Sequence, residues 1–186
     1  GQSVADNLLE RVSELGGVAD RSEDAGLAQR LDYETTGVMV GAKSPEMWRR
    51  LRSCLESDEC EKTYLCITDG TVPGDAWEVR GFIGSRHRGS SKATFSSYER
   101  PRYLPSLTSF RLLGSDPFSD VMLLRAQLRS GRRHQVRVSA ARIGVPLLGD
   151  GVYGSVRRCE PVCGCPRPFF LHAHSIRFPH PRTGFS

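Results

Sequence analysis

The chain has 186 residues, of which 38% are hydrophobic and 25% are charged, and its formal net charge is +5 at pH 7. No run approaches the roughly 18 consecutive apolar residues that a membrane-spanning helix needs, which excludes that class of protein. Six cysteines without a secretory segment do not make a disulfide scaffold, so we expect reduced thiols. The composition predicts one soluble domain over residues 1–186 in an intracellular compartment, cytoplasmic or nuclear, or organellar if a presequence is missing.

Basic residues are concentrated in two parts of the chain. Clusters of this kind favour a polyanionic partner, usually nucleic acid, although a solvated basic face explains the charge equally well. The members of the two clusters are Arg86, His87, Arg88, Lys92, Arg100 and Arg102 in the first and Arg125, Arg129, Arg132, Arg133, Arg137 and Arg142 in the second.

The first third of the chain predicts two helices and a strand. Ser3 is a capping residue ahead of apolar residues at helical spacing that continue to Leu15, so a first helix is expected before Gly16. Residues 18–29 predict a loop, and the apolar segment 37–43 predicts a buried strand. A second helix should begin at Ser44 and Pro45 and run to about residue 54, because proline suits the first helical position.

The remaining pattern is dominated by strands. They are predicted over residues 61–68, 77–83, 107–113, 121–128 and 169–178, with a helix over 131–143. Residues 84–106 predict a long basic loop, since this stretch is polar and rich in Gly, Ser and Arg. Neighbouring strands joined by short turns predict an α+β fold, with a mixed, mainly antiparallel sheet and flanking helices.

The segment at residues 30–37, Arg-Leu-Asp-Tyr-Glu-Thr-Thr-Gly, places a base and an acid two residues apart in a loop. A loop held by a neighbouring strand is a suitable place for chemistry. Taken alone the pattern is weak, because an Arg-x-Asp sequence on a surface is usually a solvated ion pair.

Three later segments make the segment at residues 30–37 more informative. They are Lys-Thr-Tyr-Leu at 62–65, Ser-Gly-Arg-Arg-His-Gln-Val-Arg-Val at 130–138 continuing to Tyr153-Gly154, and Leu-His-Ala at 171–173 with Phe-Pro-His-Pro at 178–181. In content and order the four segments resemble the motifs of the RluA-type pseudouridine synthases, which isomerise uridine in RNA. The resemblance implies the catalytic fold of that family. The family's opening strands have no counterpart before Gly1, so we expect a domain that lacks them.

The resemblance assigns the catalytic roles to three residues. Asp32 matches the essential carboxylate, which either attacks the sugar or the base or removes a ribose proton, and the sequence does not choose among these routes. Arg137 matches the arginine that pairs with this carboxylate and keeps it ionised. Tyr64 matches the tyrosine that packs on the target base, although in isolation it reads as a core residue.

The same resemblance implies a set of substrate-binding residues. Arg30, with Leu31 beside it, fills the space left by the uridine that leaves its stack. A predicted helix start carries Arg132, Arg133 and His134, where free backbone amides also favour phosphate. The two remaining members of the substrate-binding set are Gln135 and, lining the uracil pocket, Leu171.

Isomerisation neither adds nor removes an atom, so no cofactor is expected. RNA is the expected partner of a monomeric chain, without a membrane or an obligatory protein partner. A Cys-x-x-x-Cys-x-Cys segment, Cys159, Cys163 and Cys165, offers zinc ligands together with His172 and His174, but its spacing is not a standard knuckle, and we expect reduced cysteines and no metal. The alternatives are an inactive RNA-binding relative and a zinc-dependent interaction module.

Overall fold

The computed structural model describes residues 3–85, 87, 89–157 and 169–183. The chain forms two compact units. The first is made of Gly1–Leu31, Val38–Cys60 and Ile176–Ser186, and the second of Asp32–Gly37 and Glu61–Ser175. The single domain over residues 1–186 stays a prediction. Within the described ranges, no helix has both the length and the apolar character needed to cross a membrane.

The first unit carries two helices whose starts follow from their capping residues. Helix α1 spans Val4–Arg11, and the Ser3 side chain accepts from the Asp6 amide at 3.1 Å while Asp6 accepts from the Ser3 amide at 2.8 Å. This reciprocal pair satisfies two of the amides that a helix start leaves free. Helix α1 is shorter than predicted, because the chain passes into a 3₁₀ helix over Ser13–Gly17.

Helix α2 spans Pro45–Glu56, with Ser44 accepting from the Met47 amide and Pro45 at the first position, as predicted. Its buried residues Trp48, Leu51 and Leu55 pack in the core of the first unit. The indole N–H of Trp48 donates to the Leu27 carbonyl at 3.0 Å. This bond avoids the free-energy cost of burying the N–H without a partner.

The prediction of a strand over residues 37–43 is wrong for most of that segment. Strand β1 covers only Thr36–Gly37, and the residues after it bond to a nearby loop: the Ala28 amide donates to Val40 and the Ala42 amide to Gly26, both at 2.9 Å. Gly26 has a φ of 72°, and a Cβ there would lie 2.5 Å from the Ala42 carbonyl oxygen. The apolar segment therefore satisfies part of its backbone by pairing with the loop at residues 26–28, where only glycine permits the close approach at position 26.

The second unit is built on a seven-stranded sheet in the order β1-β7-β2-β6-β5-β3-β4. Strand β1 runs parallel to β7, whereas the β2–β6, β6–β5, β5–β3 and β3–β4 pairs are antiparallel. The predicted mixed, mainly antiparallel α+β fold is confirmed. The strands after β1 are β2 Glu61–Asp69, β3 Ala76–Gly84, β4 Thr94–Ser96, β5 Leu104–Asp116, β6 Val121–Leu128 and β7 Leu171–Arg177.

The core of the second unit follows from alternation along the central strands. In β6 the even-numbered residues from Met122 to Leu128 are buried and those between them are more exposed, as expected for a strand with one face on the core. Helix α3, Gln135–Arg142, adds Val136 and Ala140 to the same cluster. Strand β4, which the sequence did not predict, lies inside the segment 84–106.

Helix α3 begins four residues later than predicted. His134 has a φ of 53° and cannot be part of a right-handed helix. The Gln135 side chain explains this boundary, because its oxygen accepts from the Arg132 amide at 3.0 Å and from the Ser130 hydroxyl at 2.9 Å. These bonds close a turn at residues 130–134 where the sequence pattern predicted helix.

Candidate active site

Asp32 lies in a turn that is anchored to the sheet. The turn is closed by a bond from the Thr35 amide to the Asp32 carbonyl at 2.9 Å, and β1 follows at once. In β1, Thr36 pairs with His172 of β7, and its hydroxyl lies 2.9 Å from Nδ1 of that histidine. At Gly37, φ is 121° and a Cβ would lie 2.2 Å from the Ala173 carbonyl oxygen. Only glycine allows this close approach, so residue 37 fixes where the Asp32 turn can stand.

Arg137 brings a buried positive charge to Asp32. Its side chain, on α3, is only 6% exposed. The Nη1 atom donates to Oδ2 of Asp32 at 3.2 Å, and the Asp32 side chain keeps 23% of its surface exposed. The pair that the sequence motifs implied is therefore in contact, with the arginine enclosed and one side of the carboxylate open to solvent.

Asp150 holds Arg137 in place, and the sequence did not assign it a role. Its two oxygens accept from Nε and Nη2 of Arg137 at 2.7 and 2.9 Å, a bidentate geometry that fixes the plane of the guanidinium group. The Asp150 side chain is only 1% exposed. Its carbonyl also accepts from the amides of Tyr153 and Gly154, which closes the turn that follows. The available signal was an acid between two glycines at 149–151 inside the third motif.

The surroundings of Arg137 keep it charged. Burial alone would favour the neutral form, but the hydrogen bonds and charge of Asp150, and then of Asp32, outweigh it and raise the pKa of Arg137 above its ordinary value. The guanidinium carbon also lies 4.3 Å from the ring centre of Phe169 and 5.1 Å from that of Tyr153. Aromatic faces attract a cation, so these rings add to its stabilisation.

His134 lies on the other side of the Asp32 carboxylate. Its Nε2 atom is 3.7 Å from Oδ1 of Asp32, and Nδ1 is 2.8 Å from the hydroxyl of Tyr153. Burial lowers the pKa of His134 below its ordinary value, with Arg137 and Arg133 acting in the same direction and the acids Asp32 and Asp150 opposing them. The imidazole is therefore neutral at pH 7.

The remaining predicted residues occupy varied positions, and their substrate-binding roles stay predictions. Arg132 donates from Nε to the Pro105 carbonyl at 3.0 Å, and Arg133 donates to Ser90 and Ser91 at 2.6 and 2.9 Å. Both arginines thus support the segment that contains the basic cluster around residue 90.

Three of the predicted residues are part of the packed structure of the second unit. Gln135 is buried, and its amide nitrogen donates to the Leu107 carbonyl and to the Thr108 hydroxyl, at 3.0 and 3.1 Å. Leu171 is buried in the main core, against which the partly buried Tyr64 packs from β2. Arg30, which is exposed, and Leu31 belong to the first unit.

Within the described parts of the chain, His, Cys, Asp and Glu side chains form no group of three or more that could hold a metal ion. Cys159, Cys163 and Cys165, where the sequence left zinc as an alternative, lie outside the described residues. The side chains that the structure brings together around Asp32 are a second carboxylate, a guanidinium group and an imidazole.

Comparison with known proteins identifies RNA pseudouridine synthases among the relatives of this chain. A model of the RNA pseudouridylate synthase family matches residues 5–142. The chain is 36% identical over 168 residues to the ribosomal large subunit pseudouridine synthase D of Vibrio vulnificus, covering 86% of this chain and 50% of that protein. It is 33% identical over 159 residues to an uncharacterized RNA pseudouridine synthase of Chloroflexus aurantiacus, covering 86% and 47%. The chain thus spans about half the length of these curated relatives.

Solved structures share the fold. Human RNA pseudouridylate synthase domain containing 4 superimposes with a TM-score of 0.63 at 25% identity, covering 81% of this chain and 65% of that one. Human RNA pseudouridylate synthase domain containing 1 gives a TM-score of 0.66 at 24% identity, covering 82% and 63%, and this likeness concerns the fold alone.

Proposed function

We propose, because this chain belongs to the RNA pseudouridylate synthase family, that it isomerises uridine to pseudouridine within RNA. One observation carries the proposal: an accessible carboxylate, Asp32, is paired with a buried arginine, Arg137, which a second buried acid, Asp150, holds in a fixed plane. A carboxylate that is paired with a fixed cation and is partly open to solvent is suited to act on a bound nucleoside.

The reaction matches what these groups can do. The bond from C1′ of the ribose to N1 of the base breaks, the base turns, and a bond from C1′ to C5 forms. C5 then loses its proton to solvent and N1 takes one up, so atoms balance without a cofactor. Oδ2 of Asp32 is bound by Arg137, whereas Oδ1 faces His134 beyond hydrogen-bond distance. Oδ1 is therefore the atom that attacks the nucleoside or removes a ribose proton.

RNA binding is supported by a cleft in the second unit. The cleft has a volume of about 600 Å³, and its lining includes His87, Arg102, Arg132 and Arg133. The chain as a whole carries a net charge of +5. Cations in a concave surface bind phosphates of a nucleic-acid backbone regardless of sequence. The target uridine itself must leave its stack to reach a carboxylate in a folded protein.

Large-subunit ribosomal RNA is the first substrate to test, because several of the relatives bear that substrate in their names. Transfer RNA is the second. We also propose that the chain acts as a monomer and that RNA is the only partner it requires. We place its activity inside the cell, in the compartment that contains its RNA substrate.

The test is release of tritium from large-subunit ribosomal RNA and transfer RNA transcripts labelled at C5 of uridine. Wild-type chain should release tritium, and Asp32→Asn should release it at least about a thousandfold more slowly, because an amide can neither attack the nucleoside nor remove a ribose proton. Asp75→Asn, a change at an exposed acid of the same unit, should match the wild type. Binding of both transcripts without tritium release from the wild type would instead identify an inactive RNA-binding relative.

A further inference from the structure

We propose that His134 is a positioning residue for Asp32, and that the Tyr153 hydroxyl holds its imidazole in the tautomer that presents Nε2–H to Oδ1 of Asp32. This inference rests on the proposed function and adds a second orienting group to the same site. The two residues lie on opposite sides of α3 in the sequence, and neither was expected from the sequence to contact the other.

His134 is fixed by its backbone and by its enclosure. It has a φ of 53°, in the left-handed region that few residues other than glycine adopt. Its side chain is only 12% exposed, and its ring lies edge-on to that of Tyr153 with 5.7 Å between the ring centres. Strained residues in enclosed positions are common at functional sites, since the surrounding structure must hold them there.

The hydrogen bonds of Tyr153 assign the tautomer. The hydroxyl oxygen accepts from the Ala93 amide at 2.9 Å, and its one hydrogen has two candidate acceptors. These are Nδ1 of His134 at 2.8 Å and the Ala93 carbonyl at 3.2 Å. The shorter distance favours Nδ1. A neutral imidazole that accepts at Nδ1 carries its hydrogen on Nε2, and this is the atom that faces Asp32.

Neutrality of the imidazole matters for the carboxylate. Burial lowers the pKa of His134, and the nearby Arg137 and Arg133 oppose its protonation, while Asp32 and Asp150 favour it. A second full positive charge beside Arg137 would stabilise the carboxylate and make it less reactive. A neutral N–H orients Asp32 without this loss of reactivity.

The Nε2–H group of His134 is placed to orient the Asp32 carboxylate. Arg137 holds only one oxygen of Asp32, so the plane of the carboxylate is not fixed by that bond. At 3.7 Å Nε2 does not form a hydrogen bond with Oδ1, but the positive end of the N–H dipole attracts this oxygen, which favours one orientation of the carboxylate and leaves Oδ1 available to the substrate. A displacement of about 1 Å in a reacting group can reduce a rate about a hundredfold.

Two substitutions separate this role from a structural one. His134→Gln places an amide nitrogen near the position of Nε2, whereas His134→Asn places one near Nδ1, where it can bond only to Tyr153. We expect His134→Gln to stay within about tenfold of the wild-type kcat in tritium release. His134→Asn should lose about a hundredfold in kcat with KM unchanged.

We expect the two variants to rank in the opposite order in thermal stability. Asparagine tolerates a positive φ better than glutamine, so His134→Asn should melt at the higher temperature. A role confined to packing against Tyr153 predicts that activity follows stability. An activity of His134→Asn equal to or above that of His134→Gln would overturn the inference.

The tautomer is tested without RNA, by the ¹⁵N chemical shifts of the imidazole nitrogens in histidine-labelled chain, with His134→Gln used to assign the signals. Wild type should show a protonated Nε2 and an unprotonated Nδ1, and Tyr153→Phe, which keeps the ring beside Arg137, should show a mixture. A wild-type signal with the hydrogen on Nδ1 would overturn the assignment. If the wild type released no tritium from any transcript, the proposed function would fail, while these spectra would still decide the tautomer.

Discussion

At the scale of single residues, the site depends on an acid that is placed to hold Arg137. Asp150 uses both oxygens on Arg137 and is almost fully enclosed, whereas Asp32 uses one and is partly open. The arginine is therefore fixed by one carboxylate and presented to the other. This division explains how one oxygen of Asp32 stays available although the residue is ion-paired.

We expect Asp150→Asn to lower the free energy of unfolding by about 3 kcal/mol, because removal of one member of a buried ion pair leaves the other charge poorly compensated. Arg137 keeps its bond to Asp32, which places the loss at the low end of the usual range. Urea unfolding measures it. Glu78→Gln removes an exposed ion pair with Arg80 in the same unit and should cause no measurable change. Equal losses in the two variants would contradict the role assigned to Asp150.

The residue types of the site could be predicted from the sequence more readily than their partners. The motifs brought Asp32 and Arg137 together because each lies in a short, recognisable segment. Asp150 and Tyr153 lie in the third segment too, but their importance comes from burial and from bonds to residues as distant as Ala93, 60 positions away. A local pattern of polar residues does not indicate whether an acidic side chain will be buried in the folded protein.

At the scale of elements, local signals predicted the structure well wherever the deciding bonds are local. The caps of α1 and α2 and the alternation along β6 are examples of this kind. The prediction for residues 37–43 was wrong because their apolar character fits a strand, whereas their backbone bonds go to the loop at residues 26–28. The start of α3 was misread because Gln135 bonds backward to the turn before it.

Strand β4 depends on a glycine in its neighbour. A Cβ at Gly81 of β3 would lie 2.4 Å from Cζ of Phe95 and 2.7 Å from the Ser96 carbonyl oxygen. We expect Gly81→Ala to destabilise the protein by about 1–3 kcal/mol, the usual cost of overpacking. Amide hydrogen exchange should accelerate in Thr94–Ser96 most of all, since the new methyl group displaces this strand first.

Gly114 provides the matched control for Gly81. It lies at the register shift of β5, and a Cβ there would meet nothing within 4 Å. Gly114→Ala should therefore unfold at about the wild-type urea concentration and leave exchange in β4 unchanged. A similar loss of stability from both alanines would mean that the contact with Phe95 and Ser96 is not the cause.

At the scale of the whole molecule, the enclosed imidazole makes stability depend on pH. The pKa of His134 is lowered in the folded chain from its ordinary value of 6.5. Between these two values the unfolded chain binds more protons than the folded one, so acid favours unfolding. The contribution of His134 is complete above about pH 6.5 and is lost as the pH falls toward its folded pKa.

We therefore expect the free energy of unfolding to decrease between pH 7 and pH 5, and His134→Gln to reduce the slope of that decrease. Urea unfolding at half-unit steps of pH measures both slopes. His174→Gln changes an exposed imidazole on β7 and should keep the wild-type slope. An unchanged slope in His134→Gln would show that the enclosed ring is not the group responsible.

The parallel pairing of β1 with β7 has a consequence for synthesis of the protein. Thr36 and Gly37 leave the ribosome before the strand that receives them, because their partners His172 and Ala173 lie 136 positions later in the chain. A nascent polypeptide stopped at any point before β7 has no template on which to seat the Asp32 turn. Synthesis must therefore pass β7 before the loop that carries Asp32 gains the parallel neighbour that fixes its position.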